Sequence, residues 1–298
     1  MKSSDTGIRW SAILVILMIG GSAVHAEQSW QSLWNGKDLT GWTTWLAKPH
    51  PSAVIADAAK NDSGEYAAPI GLNRDPLGVF RVVSEDGQPA IRISGQVFGG
   101  MRSEKSFANY RLKLQFKWGE KKWPPREKDD IPRDSGLLYH AHSEPGAEGR
   151  TWERSIEMQI QEHDVGDLYA IGSMIYVRSK FRGGMPKPMY DYDPKGAWNV
   201  FSQVPGMDGR CVKNLDAERP NGEWNDVEIV CLGPDCFHIV NGKVVMRLYG
   251  PTRIDTPTPQ AITAGSIIIQ SEGAEVFYRE IFLQPITELP AEYKLQEP

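Results

Sequence analysis

Short segments in which apolar and polar residues alternate are the feature that most constrains the fold of this chain. Side chains of a β-strand point alternately to its two faces, so this period predicts strands, and no long stripe at helical spacing competes with it. Glycine, proline, asparagine and aspartate separate the segments, which indicates an all-β sandwich or jelly roll of two antiparallel sheets. Ten segments are predicted as strands: 79–84, 90–94, 111–118, 136–142, 155–161, 224–231, 237–240, 243–248, 265–270 and 275–284.

The N-terminus has the three parts of a secretory signal peptide. Lys2 and Arg9 precede an apolar run over 12–19, and small residues lead to Ala26, after which we expect cleavage. An uncleaved anchor is the rival interpretation, but the apolar run is shorter than the roughly 20 residues of a membrane span. The sequence therefore predicts an exported protein, periplasmic or extracellular, with a signal peptide over 1–26, a single β-sandwich domain over 27–298 and no stable membrane span.

The net charge and the cysteines limit which partners and ligands this chain is expected to bind. The formal net charge of −5 gives the chain no electrostatic reason to bind nucleic acid. Of the three cysteines, Cys231 and Cys236 flank a Leu-Gly-Pro-Asp turn and are predicted to face each other across a hairpin, where a disulfide could form. Zinc is the rival interpretation, and it is the weaker one because no second Cys or His pair stands at zinc-finger spacing. Cys211 would stay unpaired.

Three long stretches interrupt the strand pattern, at 46–77, 119–134 and 173–222, and are predicted as long loops. Loops of this length in a compact domain commonly carry function. Their aromatic side chains could stack on sugar rings or could instead fasten the loops to the core. These aromatic residues are Trp123, Phe181, Tyr190, Tyr192 and Trp198.

The segment 155–161, which reads SIEMQIQ, is the most informative about function. Its apolar residues share one face, so Glu157, Gln159 and Gln161 share the other. Carboxylate and amide groups match the hydroxyl groups of sugars, and the pattern is typical of the floor of a sugar cleft as well as of a solvated strand face. A retaining glucanase would need two carboxylates about 5 Å apart, which this strand does not supply. Glu153, Asp164 or Glu272 would have to enter the cleft.

Two further segments carry candidate residues. If Leu137 and Tyr139 face the core, His140 and His142 lie on the opposite face, where an imidazole beside Glu157 would be a usable general base. A hydrogen-bonded surface histidine is the alternative for both. The segment 265–273 ends in the polar residues Gln270 and Glu272, and the following Arg279 could contact a ligand or hold a structural ion pair.

The order of seven short motifs resembles the 3-keto-disaccharide hydrolase domain family over residues of about 30–286. The motifs are 30–42 (WQSLWNGKDLTGW), 134–137 (DSGL), 156–160 (IEMQI), 222–225 (GEWN), 240–242 (VNG), 265–270 (GSIIIQ) and 277–281 (FYREI). The resemblance implies a concanavalin-like jelly roll with a sugar site on one sheet. Asp134 stands where the family usually has Asn.

The resemblance also implies a reaction. Family members cleave glycosides already oxidised at C3, where the keto group acidifies the C2 proton, so that a base removes it, the C1 substituent is eliminated and water adds. We expect Glu157 or His140 as the base, with Gln159, Gln161, Gln270, Glu272, Arg279 and His142 as substrate contacts.

No cofactor is required by this chemistry, although a divalent cation could stabilise the enolate, with His140, Glu157 and His163 as the expected ligands. A sugar 3-oxidoreductase would be the upstream pathway partner. The alternative function is a non-catalytic carbohydrate-binding module.

Overall fold

The part of the chain that the structure describes contains twenty strands and two short helical segments. The structure, a computed structural model, describes residues 29–56, 58–183 and 189–294. The predicted signal peptide lies outside the described residues. The strands are β1 (Gln31–Ser32), β2 (Trp42–Leu46), β3 (Gly71–Leu72), β4 (Phe80–Glu85), β5 (Gln88–Ile93), β6 (Gly99–Ser103), β7 (Tyr110–Lys122), β8 (Asp134–Ala141), β9 (Ser155–Gln161), β10 (Leu168–Ile171), β11 (Ser173–Gly183), β12 (Met189–Tyr192), β13 (Ala197–Ser202), β14 (Arg210–Cys211), β15 (Asn225–Leu232), β16 (Asp235–Val240), β17 (Lys243–Arg253), β18 (Gln260–Ala261), β19 (Ser266–Ser271) and β20 (Ala274–Pro285). A 3-10 helix spans Ala147–Gly149, and the helix α1 spans Ala291–Lys294.

The strands form two antiparallel sheets, which confirms the predicted all-β sandwich. The 12-stranded sheet has the order β12-β11-β17-β16-β15-β7-β20-β5-β4, with β1, β13 and β18 paired at its sides. The 8-stranded sheet has the order β14-β10-β9-β8-β19-β6-β2-β3. Several neighbours in these sheets are distant in the chain, as in jelly rolls, so that β8 lies between its successor β9 and the late strand β19.

All ten predicted strands are confirmed, since each overlaps an observed strand. The prediction of a long loop over 173–222 is wrong, because this stretch contains the strands β11 to β14. The stretch 123–133 is a loop, as predicted, and most of 47–70 is without strands.

The space between the sheets holds the main apolar core. From the central strands, Leu137, Ile156 and Met158 of the 8-stranded sheet meet Leu114 and Ile229 of the 12-stranded sheet, each at most 2% exposed. Burying a side chain of this size stabilises the fold by about 1.5–3 kcal/mol. Within the described residues, none of the helices combines the length and apolar character that crossing a membrane would need.

The strand β8 is buried along its whole length, and it contains an irregularity. Its pairing with β19 shifts register between Ser266 and Ile268, and His140 has the left-handed φ of 53° that non-glycine residues seldom adopt. The shift interrupts the alternation, so that consecutive residues Tyr139 and His140 both face the core, where their rings lie 5.4 Å apart. The predicted position of His140 on the outer face is therefore wrong.

Candidate functional site

The outer face of the 8-stranded sheet carries a row of polar side chains across its central strands. On β9, Ile156, Met158 and Ile160 belong to the core, so Glu157 and Gln159 point away from it. The register places Gln159 opposite Gly136 of β8. Gln270 of β19 lies on the far side of Gly136, because Ile269 pairs with Leu137. The three strands thus bring three of the seven motifs, 134–137, 156–160 and 265–270, onto one surface.

Gly136 allows the side chains of Glu157 and Gln270 to approach each other. A Cβ atom at this residue would overlap both Glu157 Oε1 and Gln270 Oε1. The missing side chain therefore leaves room for the Gln270 amide to hydrogen-bond the Glu157 carboxylate across the strand between them. Here the reason for glycine is close approach, and no unusual backbone angle is involved.

An acidic pair held by one arginine lies at the end of this row. Asp134 of β8 and Glu272, which follows β19, both accept from the guanidinium of Arg126, the latter at 3.0 Å. Gln161 donates to Asp134 Oδ2 at 2.6 Å. Arg126 comes from the loop 123–133, which lies within the loop predicted over 119–134. Burial raises the pKa values of Asp134 and Glu272, and the Arg126 charge opposes that rise.

Unlike Asp134 and Glu272, Glu157 pairs with no arginine or lysine among the described residues. Its side chain is buried, with 4% of the residue exposed. Burial first, and then the neighbouring carboxyl groups of Glu272 and Asp134, hold the pKa of Glu157 well above its usual range, while the hydrogen bond from Gln270 acts in the opposite direction. A carboxyl group with a raised pKa is a stronger base when it ionises, which is the property of a general base working near neutral pH.

Several buried polar atoms of this group have no hydrogen-bond partner among the described residues. They are Asp134 Oδ1, Gln270 Oε1 and Arg126 Nε. Unsatisfied buried polar groups cost about 1–3 kcal/mol each, so their grouping on one face needs an explanation. Hydroxyl groups of a sugar ring could both donate to the two oxygens and accept from the guanidinium nitrogen.

A cavity of about 480 Å³ is lined by residues that precede β6 and by the loop that carries Arg126, although the side chains of the polar row do not themselves line it. Trp45, Gln96 and Phe98 line one side, and Pro124 and Pro125 line another, from the same loop as Arg126. The stretch 46–77 contributes further wall residues between Ala47 and Pro69. A cleft of this size, mostly apolar and rimmed by polar groups, is typical of a small-ligand site.

A fourth acid, Glu153, lies further along the same face. Glu153 pairs with Arg102 of β6 at 3.2 Å, and both line a narrow cavity together with Trp152. Burial raises the pKa of Glu153 to about 7, helped by Glu144 and opposed by Arg102. Arg102 lies three strands from Glu157, a Cα separation of about 14 Å at the usual strand spacing. Trp152, stacked on Phe98 with ring centroids 6.0 Å apart, covers the apolar floor between them.

The other flank of Glu157 leads to a second cavity of about 480 Å³. Tyr169 of β10 is the cross-strand partner of Glu157, and it lines this cavity with Tyr190 and Arg210. Of the five aromatic residues that could either stack on a sugar or fasten the loops to the core, Tyr190 lies here. Trp198 and Phe181 belong to strands of the 12-stranded sheet and are 48% and 57% exposed.

Five of the eight predicted site residues come together on this face: Glu157, Gln159, Gln161, Gln270 and Glu272. The other three do not, and these placements correct the sequence-based expectation. The His140 ring packs 5.8 Å from the ring of Tyr110 inside the core. His142 follows β8 and lies near Arg253 and Asp255, with Nδ1 bonded to the carbonyl of His140 at 3.0 Å.

Arg279 lies on the 12-stranded sheet instead. Its guanidinium stacks 3.8 Å from the ring centroid of Trp224 and donates to Gln115 Oε1 at 2.8 Å. Arg279 therefore makes structural contacts, but with an aromatic ring and an amide oxygen, and no ion pair of the expected kind is found for it among the described residues. The expected cation ligands His140, Glu157 and His163 are also not brought together, since the one metal-like group among the described residues contains only the first of them.

Arg126, Asp134 and Tyr169 are the site residues that sequence reasoning missed. Asp134 was visible as an acid in a motif, although nothing in a linear pattern places it beside Glu272. Arg126 stands in a loop, where no periodicity predicts a direction. Tyr169 lies on a four-residue strand, too short for its alternation to be recognised.

Comparison with known protein families gives a match over nearly the whole chain. The family model described as the 3-keto-alpha-glucoside-1,2-lyase-like domain matches residues 29–284. This confirms the resemblance that the seven motifs indicated. A search of curated proteins gives no significant match.

Solved structures with similar folds share little sequence with this chain. A protein from Parabacteroides distasonis ATCC 8503, whose assignment as a glycosyl hydrolase is itself a proposal, is 16% identical with a TM-score of 0.46, covering 86% of this chain and 94% of that one. A β-glucanase from Bacillus licheniformis is 9% identical with a TM-score of 0.37, covering 88% of this chain and 99% of that one.

Proposed function

Because this chain belongs to the 3-keto-alpha-glucoside-1,2-lyase-like domain family, we propose that it cleaves 3-keto-glycosides or 3-keto-disaccharides with Glu157 as the general base. The observation that carries the proposal is the state of Glu157. It is a buried carboxyl group with a raised pKa, oriented by Gln270, while the neighbouring acids Asp134 and Glu272 are both tied to Arg126. One free base beside an occupied acid pair suits an elimination better than a reaction with two carboxylates.

The first step is removal of the C2 proton. The Glu157 carboxylate takes the proton, and the C2–H electron pair forms a C2=C3 double bond while the C3 carbonyl becomes an enolate oxygen. Negative charge then develops on that oxygen, and a cationic or N–H donor group is needed there. Arg126 is the cation of the site, and its unpartnered Nε lies in the same cluster.

The second step expels the C1 substituent. The enolate re-forms the C3 carbonyl, the electron pair of C2=C3 moves to C1=C2, and the C1–O bond breaks. The leaving oxygen needs a proton, and the newly protonated Glu157 is the nearest acid that the first step itself creates. Addition of water across C1=C2, with the hydroxyl at C1 and the proton at C2, completes the hydrolysis.

Conventional glycoside hydrolysis is a second candidate, and the acid cluster favours it. Asp134 and Glu272 lie near enough to Glu157 to raise its pKa by charge repulsion. A protonated Glu157 beside an ionised carboxylate would have the division of roles that glycosidases use. In this mechanism an unoxidised glycoside would be cleaved, which the keto mechanism excludes.

The deciding experiment compares a 3-keto-glucoside with its unoxidised parent as substrates of the purified protein, with and without a chelator. We expect cleavage of the keto sugar alone and a loss of about 10²–10⁴-fold in kcat for Glu157→Gln, the range of a positioned general base. Inhibition by the chelator would add a divalent cation to the enolate-stabilising groups.

Glu228→Gln is the matched control. Glu228 is 7% exposed and pairs with Arg111 at 2.6 Å on the 12-stranded sheet, so the same chemical change there should leave activity unaltered. Cleavage of the parent glycoside by the wild-type protein would favour the two-carboxylate mechanism. Saturable binding of both sugars without cleavage would leave a carbohydrate-binding module.

The proposal also covers the location of the protein and the source of its substrate. The N-terminal sequence of 1–26 directs export, and N-terminal sequencing of the protein recovered from periplasm and medium tests this. The substrate must be made by an enzyme that oxidises the C3 hydroxyl of a sugar, so a 3-oxidoreductase acts upstream.

A further inference from the structure

A group of metal-ligating side chains lies between the two sheets, away from the polar row of Glu157. Cys231 of β15 and Cys236 of β16 are direct cross-strand partners, and His140 of β8 reaches them from the opposite sheet. The ligand atoms of the three residues all lie within 4.8 Å of one another. All three residues are at most 1% exposed.

The imidazole of His140 is the atom group that most needs a partner. Within the part of the chain that the structure describes, neither Nδ1 nor Nε2 has a hydrogen bond, although the ring is completely enclosed. Histidine in an apolar core is otherwise bonded, as His238 is here, to Tyr139 and to the carbonyl of Gly166. Two unsatisfied nitrogens beside two thiols are therefore an anomaly within this core.

The strained backbone at His140 turns its imidazole toward the two thiols. Regular alternation would place the ring on the outer face, and the register shift with its φ of 53° turns it inward. Left-handed geometry at a non-glycine residue costs on the order of 1–3 kcal/mol and persists where the surroundings demand it. An apolar side chain would fill the same space without an unsatisfied polar group, so packing alone does not account for a histidine here.

The separation of the two sulfur atoms fits a shared ion. Two thiolates bound to one tetrahedral zinc ion at about 2.3 Å have sulfur atoms about 3.8 Å apart, and the observed Sγ–Sγ separation is 3.4 Å. The spacing Cys-Leu-Gly-Pro-Asp-Cys also lies within the range of two to four intervening residues that zinc hairpins use. No sequence pattern indicated the third ligand, because His140 precedes the hairpin by about ninety residues and approaches it only in the folded sandwich.

We propose that Cys231, Cys236 and His140 bind a structural zinc ion that joins the two sheets. Two thiolates balance the charge of Zn²⁺, and a neutral imidazole adds none, so the complete site carries no net charge into the core. The Tyr110 hydroxyl lies beside Cys231, and because it is buried without a hydrogen-bond partner among the described residues, it is available as the fourth ligand. The ion gives His140 the partner that it lacks.

The test is metal analysis of the tag-free protein, produced with its complete sequence in zinc-supplemented medium and purified without chelators. We expect about one zinc ion per chain by mass spectrometry, and X-ray absorption with sulfur at about 2.3 Å and nitrogen at about 2.0 Å. After denaturation with a chelator, all three cysteines should react with a thiol reagent.

Variants locate the ion within the chain. Cys236→Ser should lose zinc, whereas Cys211→Ser, which removes a buried cysteine outside the group, should retain it. If Cys236→Ser does not fold, the wild-type metal content and X-ray absorption spectrum still decide the question. A metal-free wild-type protein, an intact mass showing a disulfide, zinc without sulfur ligands, or a different bound metal would each overturn the proposal.

Discussion

At the scale of single residues, Glu157 determines how activity should vary with pH. A general base works only when it is deprotonated, so the rate should rise with pH as Glu157 ionises. Burial and the neighbouring acids raise the pKa of Glu157, so we expect the acidic limb of kcat/KM well above the value of about 4.3 for a free glutamate. A pH–rate profile on a 3-keto-glucoside measures this, and a limb near pH 4 would contradict it.

Gly136 tests whether the contact between Glu157 and Gln270 is required. In Gly136→Ala the new methyl group would overlap both side chains and push them apart. Since misplacement of a catalytic group by about 1 Å can lower the rate on the order of 10²-fold, we expect a comparable fall in kcat with the fold retained. Kinetics together with thermal unfolding separate the two effects, and wild-type kcat in this variant would mean that the contact has no role in positioning the base.

The sequence predicted the site only where alternation continues without interruption. Glu157, Gln159 and Gln161 share a face because β9 is regular, and Gln270 joins them because β19 keeps its register beyond Ile268. The direction of the His140 side chain was predicted wrongly because one irregular residue reverses it. A prediction from strict alternation assumes a strand without such irregularities.

At the scale of elements, the loop 123–133 attaches to the sheets through Arg126. Arg126→Met would leave Asp134 and Glu272 without their shared cation, and breaking such a buried pair costs about 3 kcal/mol. Both acids already have raised pKa values, so in the variant the folded state binds protons more tightly than the unfolded state. The stability deficit should therefore be largest at neutral pH and shrink as the pH falls through those raised values.

Denaturant unfolding of Arg126→Met and wild type at neutral and acidic pH measures that deficit. Arg182→Met is a suitable control, because Arg182 pairs with Asp191 at an exposed position where ion pairs contribute little. Equal deficits at both pH values would show that Arg126 stabilises the loop by packing and not by charge.

The predicted and missed strands differ in how their faces are covered. Strands such as β15 and β20 have a buried apolar face and alternate clearly, so the sequence predicted them. In the stretch 173–222, β12 and β13 have mostly half-exposed or exposed residues, and the prolines and glycines between them are typical of loops. Edge strands of this kind are stabilised by pairing with β11, which a linear pattern does not contain.

At the scale of the whole molecule, the two outer faces should differ in sugar binding. Trp152 lies beside the proposed site, stacked on Phe98, whereas Trp198 is exposed on the 12-stranded sheet under Arg178. Trp152→Ala should weaken binding of a 3-keto-disaccharide about tenfold, or about 1.4 kcal/mol, and Trp198→Ala should leave it unchanged. Calorimetric titration with Glu157→Gln as the background avoids turnover, and the reverse order of effects would move the site to the other sheet.

The complete burial of β8 has a consequence for the timescale of motion in this protein. All eight of its residues are buried, and its neighbours β9 and β19 are buried almost as fully. Amide hydrogens in such a place exchange with solvent only when the whole sandwich opens, while loop amides exchange through local fluctuations. Glu157 and Gln270 therefore lie on strands whose amide hydrogens should be among the slowest in the chain to exchange with solvent. A sugar would meet a floor already in its final shape, and whatever adjusts to one substrate or another must be sought in the surrounding loops.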